Sequence, residues 1–108
     1  VSFHGDQIGD LSPLSGLTSL FSVRLEANVI SDVSPLSGLT GLSELALHDN
    51  QIGDISPLSG LTKLHYLSLS GNQVSNVSAL SSLTGLIDVR LDNNQIVDIQ
   101  PLASNPGI

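Results

Sequence analysis

The chain has 108 residues, one domain's worth, of which 40% are hydrophobic and only 3% aromatic, and its ten acidic and three basic side chains give a net charge of −7. That balance argues against nucleic acid, whose phosphates need Lys and Arg, and against anionic membrane surfaces; no apolar run reaches the roughly 18 residues of a bilayer-spanning helix, so no membrane insertion is expected. Cys is absent, which excludes disulfides, thiolate nucleophiles and Cys-based metal sites.

Taken in order, the chain is a repeat. Val1 and Phe3 fall at the two strand Leu positions of a preceding unit, so residues 1–5 read as a partial repeat that begins in mid-strand. Complete units follow at 6–27, 28–49, 50–71 and 72–93, and residues 94–108 read as a partial terminal repeat. The skeleton L-x-x-[LV]-x-L-x-x-N returns at 20–28, 42–50, 64–72 and 86–94, each copy 22 residues after the last. Within 50–71 the apolar residues Ile52, Ile55, Leu58, Leu61, Leu64, Leu67 and Leu69 are spaced by threes and finally by two. A step of two marks a strand, and steps of three fit tight turns or 3₁₀ segments, where residues three apart eclipse. Asp54-Ile55-Ser56-Pro57 predicts a turn in which Ser56 caps a short helical segment, Pro57 takes its first position and Gly60 stops it. The series repeats as Ser12-Pro13-Gly16 and Ser34-Pro35-Gly38, and in altered form as Ser78-Ala79-Ser82. Each unit is therefore a short strand, a turn, one helical turn and a return. Successive strands must lie parallel, with apolar residues lining the inside of the coil and stability coming from stacked neighbours. Asn28, Asn50, Asn72 and Asn94 close the skeleton at the core edge, where an amide is tolerated only if hydrogen-bonded, and they predict a ladder to backbone groups of their own and the adjacent repeat.

These residues resemble bacterial leucine-rich repeats of the 22-residue internalin type, N-x-I-x-D-I-x-P-L-x-x-L-T-x-L-x-x-L-x-L-x-x, over essentially residues 1–105. The departures are Asp6 for the first Asn, Asn76 for the turn Asp and Ala79 for the Pro. The expected fold is an α/β repeat: a right-handed leucine-rich repeat solenoid with a parallel β-sheet on the concave face and turns and short 3₁₀ segments on the convex face. The resemblance implies a non-catalytic recognition module, extracellular or attached to the cell surface of a bacterium. Neither end carries a cap, so a fragment is expected, or a unit whose ends are covered by something else.

Strand alternation aims the third, fifth and seventh skeleton positions out of the concave face and leaves the eighth at its rim. The third column is Ser22, Glu44, Tyr66 and Asp88; the fifth is Ser2, Arg24, Ala46, Ser68 and Arg90. The seventh is His4, Glu26, His48, Ser70 and Asp92, and the eighth is Gly5, Ala27, Asp49, Gly71 and Asn93. Elsewhere the units nearly copy one another, so this variation is what a ligand can read. A protein ligand is expected on Arg24, Glu26, Glu44, His48, Tyr66, Ser68, Ser70, Asp88, Arg90 and Asp92, with Tyr66 as central anchor. Phe21, at the second position, is expected to pack at the sheet edge.

Other chemistries are weaker. His4, Glu26 and His48 share a column, but parallel strands set the two His nearly 10 Å apart about the Glu, and neither a metal nor any other cofactor is expected. Ser70, His48 and Asp49 lack the loop and oxyanion donors of a hydrolytic triad, and no enzyme activity is expected. Asp92-Asn93-Asn94 with Asp98 lacks the Gly and Glu of a calcium loop. Two alternatives to protein binding remain: end-to-end self-association through Val1, Phe3, Ile99 and Leu102, whose non-closing contact grows filaments, and glycan binding with Tyr66 as stacking ring.

Overall fold

The computed structural model describes residues 2–97 and 101; Val1, Ile99 and Leu102 of the expected end contacts, and Asp98, lie outside them. The strands are β1 (Ser22–Arg24), β2 (Glu44–Ala46), β3 (Tyr66–Ser68) and β4 (Asp88–Arg90). They form one parallel sheet in chain order, and every residue pairs with the one 22 positions on: Ser22 with Glu44, Glu44 with Tyr66, Tyr66 with Asp88. Ser2 extends the sheet by a single bridge to Arg24. The opposite wall consists of four 3₁₀ segments, η1 (Ser12–Leu14), η2 (Ser34–Leu36), η3 (Ser56–Gly60) and η4 (Ser78–Ser82).

The punctuation of those segments differs from expectation. Ser56 is the first residue of η3 rather than its cap, and Ile55, the residue before it, makes no side-chain cap bond. The cap comes instead from Asp54, whose Oδ1 accepts the Ser56 N–H at 2.9 Å, and Asp10 and Asp32 do the same for Ser12 and Ser34. A carboxylate that bonds the amide two residues on closes its own turn, and the Ser12, Ser34 and Ser56 hydroxyls add a lesser hydrogen bond to the same carboxylates. Asn76 Oδ1 makes the same bond to Ser78 at 2.9 Å, so its departure from the repeat pattern leaves the turn intact and occupies an Asn-Val-Ser triplet that otherwise reads as a glycosylation signal. η3 ends at Gly60 as expected, whereas η1 and η2 end two residues before Gly16 and Gly38.

Between the two walls all seven apolar residues of the third unit, Ile52 through Leu69, are at most 1% exposed. Burying one Leu side chain that fully contributes about 1.5–3 kcal/mol. In the outermost layers the equivalents Ile8, Leu14 and Leu20, and Val89, Leu91 and Ile96, are only partly buried. Phe3, Ile8, Leu11, Pro13, Leu14 and Leu25 line an apolar hollow of about 270 Å³ at the first end.

The Asn side chains bind the turns together. Asn72 donates through Nδ2 to the carbonyls of Leu47 (3.0 Å), Leu69 (2.9 Å) and Ser70 (3.3 Å), and its Oδ1 accepts the Ile52 N–H (3.0 Å). Asn28, Asn50 and Asn94 repeat the pattern, each reaching one unit back. The chain turns sharply just before each Asn: Gly5, Ala27, Asp49, Gly71 and Asn93 all have φ between 57° and 70°. The eighth position is thus set by backbone geometry as much as by any ligand.

Candidate functional site

The outward columns form one surface. In the third column Ser22, Glu44, Tyr66 and Asp88 are half-buried, each beside the next across the sheet. The fifth column does not behave as one exposed row. Arg24 and Arg90 are exposed at its ends, while Ala46 and Ser68 between them are each 2% exposed. Ser68, expected on the ligand face, is therefore floor rather than surface. Its hydroxyl pairs with His48 Nδ1 at 3.1 Å and so helps orient that ring.

The charges sort by position. Arg24 pairs with Glu44 across the strands at 3.4 Å, and Arg90 pairs with Asp88 on its own strand at 3.3 Å. The Arg90 guanidinium also lies 6.0 Å from the centroid of the Tyr66 ring, so the central aromatic is held under a cation. Asp88 and, to a smaller degree, Tyr66 raise the Arg90 pKa above its ordinary value. Glu26 meets only His4, at 3.8 Å, and its second carboxylate oxygen is buried without a hydrogen-bond partner. Asp92 accepts a hydrogen bond from the Ser70 hydroxyl, the main reason its carboxyl is held below the usual range. Asp49 leans across to the next unit, where a side chain on Gly71 would collide with its carboxylate. Gly71 thus supplies both the positive φ of 70° and the room for Asp49.

The catalytic and metal groupings do not assemble. Ser70 bonds Asp92 and His48 bonds Ser68, so Ser70, His48 and Asp49 form no relay. His48 Nδ1 pairs with Ser68, and among the described residues no group of three His, Cys, Asp or Glu side chains is placed to hold a metal ion. No helix among them is long and apolar enough to cross a membrane.

Phe21 does not pack at the sheet edge; it is 67% exposed, and Ile87 in the same column is 82% exposed. The second position lies just before the strand, outside the alternation that would turn it inward, and its backbone is occupied instead, the Phe21 carbonyl accepting from Ser43 and Glu44. Between them His65 is exposed, with Nδ1 3.3 Å from the Ser43 hydroxyl. This rim also varies from unit to unit while its neighbours repeat, and that variation was its signal in the sequence.

Comparison with known proteins agrees with this architecture. The family model for leucine-rich repeats, in two copies, matches residues 40–82 and 62–104. The chain belongs to the leucine-rich repeat family, whose arrays are typically non-catalytic protein-interaction modules. Its repeats are of the bacterial internalin type: internalin C2 of Listeria monocytogenes is 43% identical over 99% of this chain with a TM-score of 0.93, and a second Listeria internalin, inlF, is 34% identical over 94% with a TM-score of 0.75. A leucine-rich repeat protein of Leptospira interrogans shares the fold at 24% identity over 96% of the chain, TM-score 0.86. The chain spans 47% and 37% of the two internalins and 29% of the Leptospira protein, less than half of each. No curated protein matches it in sequence.

Proposed function

We propose that this chain is a non-catalytic recognition module that binds a protein ligand through its concave sheet. One observation carries the reading: in a chain whose inner positions are nearly identical from unit to unit, the outward positions vary from strand to strand, with the Arg90 guanidinium 6.0 Å from the Tyr66 ring among them. Aromatic and Arg side chains held in place beforehand cost little entropy to dock and are the usual anchors of interfaces. Likeness to the internalins supports a place outside the cell or on its surface, in a bacterium. Tyr66→Ser, Arg90→Ala and Glu44→Ala should each weaken binding of the protein ligand and leave the circular dichroism spectrum and unfolding midpoint near those of the parent. Full binding by all three would defeat the reading.

A second reading is end-to-end self-association, favoured by the apolar hollow that Phe3 helps line at the first end. Sedimentation should then show assembly that grows with concentration and falls in Phe3→Asp; a monomer at every concentration contradicts it. Glycan binding has only the Tyr66 ring to rest on, and Arg90 already lies against it.

A further inference from the structure

The two rims of the concave sheet are chemically opposite. On the rim before the strands, Phe21 and Ile87 stand 67% and 82% exposed, far more than any apolar side chain of the inner layers. On the rim after the strands, the carboxylates of Glu26, Asp49 and Asp92 lie at the seventh and eighth positions, offset among the described residues by His4 against Glu26 and by the nearby charge of Arg90 on Asp92. The chain has three Lys and Arg in all. Arg24 and Arg90 are compensated by Glu44 and Asp88 in the middle of the face, and Lys63 sits in the turn between η3 and β3. The middle is thus neutral, one rim carries the exposed Phe21 and Ile87 on either side of Ser43 and His65, and the other is acidic. Five residues separate second from seventh positions, roughly 16 Å of extended chain.

Resting on the concave-face reading above, we propose that the partner is a cationic protein segment of amphipathic character, its apolar side chains on Phe21 and Ile87 and its Lys or Arg side chains on the acidic rim. Complementary charge on that rim speeds encounter and fixes orientation, and the apolar rim supplies buried area. A partner with acidic side chains would meet the like charge of Glu26, Asp49 and Asp92 and be disfavoured.

The test uses the 108-residue chain and two synthetic probes, a short amphipathic peptide of Leu and Lys and its Leu and Glu counterpart, with affinity measured at low and near-physiological salt. The Leu/Lys peptide should bind and the Leu/Glu peptide should not. The triple variant E26Q/D49N/D92N and the variant F21S/I87S should each lose about fivefold or more in affinity, and only the charge variant should lose the salt dependence. Net charge alone is controlled by D10N/D32N/D54N, which removes the same number of charges from the convex wall and keeps its turn bonds in the way Asn76 already does. That variant should bind as the parent does. Failure of the Leu/Lys peptide to bind, equal binding of both peptides, or an equal loss in convex and concave charge variants overturns the proposal. Loss in Tyr66→Ser with neither rim variant affected overturns the rim assignment and leaves the concave-face reading standing; no loss in any of the three overturns both.

Discussion

A buried amide inside a leucine layer is tolerated only when both of its ends are bonded. Asn50 and Asn72, 8% and 7% exposed, meet that condition with bonds that reach into the preceding unit. Asn50→Ala and Asn72→Ala should each cost about 1–3 kcal/mol in urea unfolding, the cost of stranding buried carbonyls and an N–H. Asn94, only partly buried, should cost less, and an unchanged midpoint in both inner variants would contradict this account. Ala27 holds φ at 59° with a Cβ that the left-handed region disfavours by roughly 1–2 kcal/mol. Ala27→Gly should therefore raise the midpoint despite its freer unfolded chain; a lower one would refute the strain. The turn carboxylates of Asp10, Asp32 and Asp54 titrate below their ordinary value, chiefly because the backbone N–H of Ser12, Ser34 and Ser56 donates to each. A folded pKa below the unfolded one means stability that is present above the unfolded Asp range, about pH 3.9, and lost as pH falls through the folded value. Asp54→Asn, which can keep the bond as Asn76 does, should shrink the acid-induced loss of stability; an unaltered pH profile from 5 down to about 2 would contradict the assignment.

At the scale of the element, equal substitutions should differ by layer. Leu58 and Leu14 hold the same place in η3 and η1, but Leu58 is completely buried and Leu14 only partly. Leu58→Ala should cost about 2–5 kcal/mol and Leu14→Ala clearly less, because an end layer loses less transfer energy and can close over the gap. Similar costs at both would mean that the first layer is covered in solution. Here the limits of sequence reading are visible. Leu58 and Asn72 were legible because the coil demands them at every unit, and one period fixes all copies. The turn cap expected from Ser56 belongs to Asp54, because both residue types favour that role and only the backbone bond separates them. Burial of Ser68 depends on side chains of neighbouring strands, which no spacing along the chain expresses.

Across the whole molecule, constant and variable residues divide the labour. Leucine layers and Asn bonds join each unit to the next, so stability is expected to be shared along the array and weakest in the partly buried outer layers. On the proposed reading, recognition falls to the residues the coil leaves free: Tyr66 near Arg90, the ion pairs beside them, and the two unlike rims. The most direct test of that division is a photo-crosslinking scan. A benzophenone amino acid replaces Tyr66 on the sheet or, in a second sample, Ser37 just beyond η2 on the convex wall, and each protein is irradiated with the same total-protein extract. Adducts with the same partner should form from position 66, compete with unlabelled parent chain, and fail to form from position 37. Adducts from position 37 alone, or equally from both, would contradict recognition through the concave sheet.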